Sequence, residues 1–355
     1  MEHILQTFRE RIVSAGASRS ALCIRGGGTK DWYGRAPHGE PLDTRSYAGI
    51  IAYDPSELVI TVRCGTTMRE IDAVLAAQNQ MLAFEPPHFG DDATIGGAVA
   101  CGLSGPRRQA VGSLRDFVLG TLIMDGKGEV LRFGGQVMKN VAGYDVSRLM
   151  VGAMGTLGLL LDISLKVLPK PFAEHSLCLA MNQADAIQTL NEWGSQPLPI
   201  SASAWTGGVL MVRLSGAEAA VTAARTKIGG DELPYAQKFW SALRDQQYLF
   251  FAPDGSPCSF WRLSVPSVTP LLDLPGDVLI EWGGAQRWMK TGADPSEIRS
   301  TVEKAGGHAT LFRGGDKKTG VFHPLAPAIV KIHRHLKTAF DPYGIINPGR
   351  MYNNI

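Results

Sequence analysis

Hydrophobic positions along the first half of the chain alternate between two periods. In "MEHILQTFRERIVSAG", Leu5, Phe8 and Ile12 recur at helical spacing and predict an amphipathic N-terminal helix. "SELVITVRCG" alternates as a strand does, and "TTMREIDAVLAAQNQ" predicts a helix opened by Thr67, with Glu70 at the spacing of a capping box. "FVLGTLIMDGKGEVLRFGG" reads as a hairpin turning at Asp125–Gly128, and "LLLDISLKVLPKP" as a further strand. Pro169 and Pro171 mark a boundary. Beyond them come strand "LCLAM", helix "ADAIQTLNEWG", strands "SASAW" and "VLMVRL", and helix "AEAAVTAARTKIG". This order predicts an antiparallel sheet with helices on one face. A second set follows: "AQKFWSALRDQQ", "SFWRLSV", "DVLIEW", "QRWMKT", "PSEIRSTVEKAG" and "ATLFR". The chain closes with the helix "LAPAIVKIHRHLKTAF" and the turn-rich tail "DPYGIINPGRMY".

Between these elements lie segments with no period. "ALCIRGGGTKDWYG" places three glycines directly after an apolar run. A P-loop would continue as Gly-Lys-Ser/Thr into a helix, whereas here Lys30 follows Thr29. A dinucleotide fingerprint needs a helix after its glycines, and "KDWYGRAPHGEPLD" has no helical period. Two readings stay open: a tight turn, or a nest in which the N–H groups of Arg25 to Thr29 converge on an anion. A second segment, Phe84 to Asp116, is rich in glycine and proline; its small residues favour close contact with a bulky ligand. "NVAGYDVSRLMVGAMGTLG" is a third.

Composition narrows the picture. A chain of 355 residues supports two cores, and 45% hydrophobic with 19% charged residues is that of a globular protein; its 41 glycines signal many special backbone positions. A net charge of +2 and no basic run with interleaved aromatics argue against nucleic acid. Cys23, Cys64, Cys101, Cys178 and Cys258 have no metal-ligand spacing and read as buried thiols. His333 and His335 point to different faces of a helix, so no metal is expected. There is no signal peptide pattern and no apolar run of about 18 residues. The expected compartment is the cytoplasm. Trp240, Phe250 and Phe251 fit either a core or an interface.

Taken in order, "RGGGT", "PP…ATIGGAVA…SG" and "GTLG" before a strand resemble the FAD-binding domain of the vanillyl-alcohol oxidase family, and "FDPYGIINPGR" resembles that family's C-terminal signature. The match runs from Ala21 to Pro171 and from Phe340 to Arg350. More narrowly, "KNVAGYDVSRLMVGAMGTLG" and the compact length resemble the E subunits of glycolate oxidase. The resemblance implies an α+β fold. It comprises a two-subdomain FAD-binding domain of the PCMH type (residues 1–171), a smaller antiparallel α+β cap (172–320), and a C-terminal helix and tail (321–355) returning to the FAD domain. It implies FAD contacts at Arg25, Gly26, Gly27, Gly28 and Thr29 on one side, and at Pro87, Thr94, Gly96 and Gly97 on the other. Gly155, Thr156, Gly158, Leu160 and Asn347 complete the implied set. Gly102, Ser104, Gly105, Arg115 and Asp116 match loop positions beside the cofactor, with loop stabilisation an equal reading for Ser104, Arg115 and Asp116.

Covalent family members often carry a histidine after the glycines. Thr29 is no such nucleophile, so non-covalent FAD is expected unless Cys101 attaches it. The implied reaction oxidises glycolate, or another small 2-hydroxy acid such as D-lactate, to the 2-oxo acid. It needs a cation for the carboxylate, for which Arg262 and Arg350 are the candidates, and a base, for which His323 is the candidate. Each also fits an ion pair or a satisfied loop histidine. The implied partners are a second FAD-binding subunit and an iron–sulfur subunit that carries electrons onward, with any membrane contact made through them. Relatives acting on D-2-hydroxy acids hold a divalent metal through cap histidines; here only His175 and His308 occur between Phe172 and Arg313. Two alternatives stay open, a self-sufficient flavin dehydrogenase and a structural subunit whose FAD only stabilises it.

Overall fold

The computed structural model describes residues 1–135, 144–252, 258–353 and 355. Residues 139–143 of the motif "KNVAGYDVSRLMVGAMGTLG" lie outside the described set. The chain divides into two compact units. The first comprises Met1–Leu103, Ser113–Pro169 and Pro324–Ile355; the second comprises Ser104–Gly112 and Lys170–His323.

In the first unit a five-stranded antiparallel sheet runs in the order Ile50–Asp54, Val59–Arg63, Leu159–Lys166, Val118–Met124, Val130–Gly134. Its middle strands are buried on both faces, so they read as near-continuous apolar runs, while the edge strand Val130–Gly134 alternates. Asp162 sits in a middle strand and accepts from the Tyr47 hydroxyl at 3.0 Å. Burial, and then the nearby carboxylate, push that hydroxyl up to about 12. The helix Met68–Ala77 opens as expected, with Thr67 accepting from the Glu70 N–H at 3.2 Å. It buries Met68, Ile71 and Leu75, each worth on the order of 2 kcal/mol of apolar transfer. The hairpin turn closes through Gly128 N–H to Asp125 O at 3.1 Å, and Gly128 has φ 80°.

A parallel pair, Leu22–Arg25 with Glu40–Asp43, was not legible because Gly39 and Pro41 mask the second strand. The C-terminal tail runs along the other side of Leu22–Arg25: Leu22 N–H donates to Ile345 O at 2.7 Å and Asn347 N–H to Leu22 O at 2.9 Å. A buried ion pair fastens this tail. Lys337, near the end of the helix Pro327–Phe340, meets Asp341 at 2.7 Å and donates to Thr156 O at 2.8 Å and Ile346 O at 2.5 Å. Asp341 in turn accepts from Ile345 N–H and Ile346 N–H at 3.2 and 2.7 Å. Desolvation lowers the Lys337 pKa, and Asp341 opposes that shift.

In the second unit the two expected sets join in one eight-stranded antiparallel sheet, linked where Ile200–Thr206 pairs with Asp277–Glu281. One apolar core lies under the helices Gln183–Gly194 and Glu218–Ile228, and another under Pro295–Lys304. Trp240 is buried in this unit, with its indole N–H on Ser176 Oγ at 2.9 Å, and Phe251 is buried too. The segment Ser104–Gly112 belongs here and not, as the sequence reading had it, with residues 1–171. Polar ties explain this: Trp282 Nε1 donates to Gly105 O at 3.1 Å, Arg107 pairs with Glu174 at 2.7 Å, and the Arg108 guanidinium lies 4.3 Å from the Trp282 ring centre.

Candidate functional site

A cleft lies in the first unit where the strand Leu22–Arg25 ends. One wall is Arg25–Asp31. Its glycines have steric causes: a Cβ on Gly27 would overlap the Asp92 carbonyl, one on Gly26 would overlap Thr94 Oγ1, and Gly28 has φ 72°. The turn is held from outside by Arg25 on Asp31 at 2.7 Å and by Trp32 Nε1 on Thr29 O at 2.9 Å. Its own N–H groups, at Gly26, Gly27, Gly28 and Thr29, have no acceptor among the described residues. The nest reading and the tight-turn reading therefore describe one object, a turn whose unused donors line a cleft.

The opposite wall is the short helix Ile95–Cys101, capped by Thr94. Thr94, Gly96 and Gly97 line the cleft, and the amides of both glycines are already engaged. Ile95 N–H goes to Thr66 O at 3.0 Å, Gly96 N–H to Cys64 O at 2.9 Å and Gly97 N–H to Thr94 Oγ1 at 3.3 Å. Of the second set of expected amides, those of Gly96 and Gly97 are engaged within the protein, and both glycines bring surface close to the cleft.

The floor comprises Met154, Gly155, Gly158, Leu159 and Leu160, with Asn347 and Arg350 arriving from the tail. Asn347 is a cross-tie, accepting from Ile24 N–H at 2.7 Å and donating to Met154 O at 2.8 Å. Arg350 Nη2 donates to Asp31 O at 3.0 Å and Lys30 O at 3.4 Å, and burial lowers its pKa. Cys101, raised in the sequence as a possible attachment point, lines the cleft, as do Lys30, Thr44, Cys64 and Ala100, which the sequence reading did not place there. Lys30 directly follows the glycine loop, which is the signal that could have found it. Burial raises the Cys101 thiol although Lys30 and Arg350 act against it, and Cys64 is pushed up to about 12, chiefly by burial. Both are therefore thiols at neutral pH and poor nucleophiles.

Several expected contacts lie elsewhere. Pro87 is buried away from the cleft lining, and Gly102 has φ 64° and packs on Gly152. Thr156 turns its hydroxyl to Ala153 O at 2.7 Å. Asp116 caps its own short helix through Ser113 N–H at 2.8 Å, and Arg115 is exposed. Ser104 and Gly105 belong to the second unit.

Arg262 and His323 fall in that second unit, and Arg350 does not. Arg262 lies on Ser259–Ser264, opposite Thr310. His323 Nδ1 accepts from Ala309 N–H at 3.4 Å, which leaves the proton of its neutral form on Nε2. His308, which the sequence singled out only as a possible metal ligand, opens the strand His308–Arg313 and is exposed there; desolvation first, then the charges of Arg262, His323 and Arg108, lower its pKa. Among the described residues no group of three or more His, Cys, Asp or Glu is arranged for a metal ion, and no helix is long and apolar enough to cross a membrane.

The cleft suits a long ligand with an internal anion: four unused amides at one end, glycine surfaces along the wall, and buried Lys30 and Arg350 nearby. FAD has that chemistry, and the comparisons agree. The model of the FAD binding domain family matches residues 6–134. The alkyldihydroxyacetonephosphate synthase structure superposes with TM-score 0.69 at 16% identity, covering 96% of this chain and 74% of that one, so the fold is shared. D-lactate dehydrogenase of Archaeoglobus fulgidus is 26% identical, over 94% of this chain and 86% of its own length. Glycolate oxidase subunit GlcD of Bacillus subtilis is 33% identical over 49% of this chain and 37% of its own length. Glycolate oxidase subunit GlcE of Escherichia coli (strain K12) is 50% identical over 98% of this chain and 97% of its own length. By that full-length identity, the chain belongs to the glycolate oxidase E-subunit family and its cofactor is FAD.

Proposed function

We propose that the chain is the FAD-binding subunit of a complex that oxidises glycolate, or another small 2-hydroxy acid such as D-lactate, to the 2-oxo acid. The observation that carries this reading is the full-length identity to a glycolate oxidase subunit, joined to a cleft with unpaired amides at Gly26–Thr29. When bound, FAD supplies the two-electron acceptor that such an oxidation needs. Gly26–Thr29 hold its pyrophosphate through backbone donors, and with Thr29 after the glycines and neutral thiols in the wall the binding is non-covalent.

For the hydroxy acid, Arg262 and Arg108 supply cations matched to a carboxylate. His323, whose Nδ1 accepts from Ala309 N–H at 3.4 Å, is the candidate acceptor for the hydroxyl proton, and His308, whose pKa is lowered by desolvation and then by the charges of Arg262, His323 and Arg108, is a second candidate. The likeness of about half of the chain to a GlcD subunit supports a second, related FAD-binding subunit as partner, and an iron–sulfur subunit completes the route for electrons. Assembly takes place in the cytoplasm, and any membrane contact runs through those partners.

The test is anaerobic addition of glycolate or D-lactate to the flavin-loaded protein, followed by absorbance at about 450 nm. Bleaching in the assembled complex is expected. Bleaching of the isolated chain at the same rate would favour a self-sufficient dehydrogenase. No bleaching of this chain's flavin in the complete complex would leave only a structural role.

A further inference from the structure

Arg350 is nine-tenths buried in the FAD cleft, with a relative exposure of 9%. Its guanidinium is used on one side only. Nη2 grips the carbonyls of Asp31 and Lys30, the residues that follow the glycine turn. Nη1 is out of contact with solvent and has no hydrogen-bond partner among the described residues. A buried donor on a charged group without an acceptor is costly, and native proteins rarely keep one without a use. The tail that carries it is not free to swing away. Asn347 ties it to Ile24 and Met154, and the Lys337–Asp341 pair fixes Ile345 and Ile346. Arg350, which carries the orphaned nitrogen, is thus held in place among the residues that line the cleft.

We propose that Nη1 of Arg350 donates to an acceptor oxygen of FAD, so that the C-terminal tail is part of the cofactor site and Arg350 binds cofactor instead of the substrate's carboxylate. The inference rests on the reading of the cleft as the FAD site. It also gives the tail a purpose: one guanidinium joins the carbonyls behind the glycine turn to the ligand in front of it. The oxygen can belong to the pyrophosphate or to the flavin ring, and the two sources are separable by experiment.

The test uses the full-length apoprotein titrated with FAD, ADP and riboflavin, for the wild type, Arg350→Lys and Arg350→Gln. Lysine keeps the charge and can still reach a backbone carbonyl, but it lacks the second arm. Losing a hydrogen bond from a charged donor predicts FAD affinity weakened by about tenfold to a hundredfold in both variants. A matching loss with ADP places the oxygen on the pyrophosphate, and a loss with riboflavin places it on the ring. Thermal melts of the FAD-free proteins serve as the control for folding. FAD affinity within threefold of wild type in a folded Arg350→Lys protein overturns the proposal. A raised KM for the hydroxy acid at unchanged FAD affinity also overturns it and returns Arg350 to the substrate. If the wild-type chain itself takes up no FAD, the reading of the cleft fails as well; uptake by wild type and variants alike removes only the role of Arg350.

Discussion

Replacing Lys337 by Met should loosen the tail before it loosens anything else. Lys337 holds the Asp341 carboxylate, which is 2% exposed, together with the carbonyls of Thr156 and Ile346. Without the ammonium, Asp341 keeps its two N–H donors from Ile345 and Ile346 but is a buried charge with no counter-ion. Removing one member of a buried pair costs about 3–5 kcal/mol, and the two surviving donors place this case near about 3. Because the chain has two compact units, global unfolding need not be two-state, and local opening is the better readout. Hydrogen exchange of the segment 345–350 should accelerate by roughly 150-fold, the equivalent of about 3 kcal/mol. FAD affinity should fall as well, since Thr156 adjoins Gly155 and Gly158 on the cleft floor. Exchange within threefold of wild type would refute the claim that this pair fastens the tail.

Gly27→Ala places a Cβ on the Asp92 carbonyl and should abolish FAD binding while circular dichroism stays native; retained binding would show that the turn can shift. Cys101 lines the cleft, so bound FAD should slow its alkylation by a neutral reagent, whereas buried Cys64 should stay unreactive with or without FAD. Alkaline pH should destabilise the protein. Cys64 rises from 9.0, and Tyr47 and Tyr352 from 10.0, each to about 12 in the fold. Raised folded values favour the protonated forms, so this stability is complete below pH about 9 and is lost as pH climbs towards 12. In Cys64→Ala the decline in the urea midpoint should begin nearer pH 10; an onset unchanged from wild type would count against the burial of that thiol.

The parts of the fold that were legible in the sequence are those with a strong local cause. The strand "LLLDISLKVLP" is apolar on both faces because it lies in mid-sheet, and Thr67 announces its helix through its cap. The pairing of Glu40–Asp43 was hidden because glycine and proline flank it, and the single eight-stranded sheet was hidden because register between distant strands leaves no local trace. In the cleft, the glycine turn was legible as a shape, but the occupation of the Gly96 and Gly97 amides was not. Their acceptors, Cys64 O and Thr94 Oγ1, become partners only once the walls fold together. In the second unit Arg262 and His323 stood out in the sequence by residue type, while the electrostatic influence of Arg262, His323 and Arg108 on His308 arises only once the strands pair.

The account's central claim is that backbone amides of Gly26–Thr29 hold the pyrophosphate of a non-covalent FAD. Equilibrium titration of the apoprotein with FAD and with riboflavin, followed by acid precipitation of the FAD complex, tests it most directly. The account predicts one FAD per chain, riboflavin binding at least about a hundredfold weaker because it offers nothing to the amides, and all yellow colour in the acid supernatant. Riboflavin binding as tightly as FAD, or flavin remaining with the precipitated chain, would contradict it.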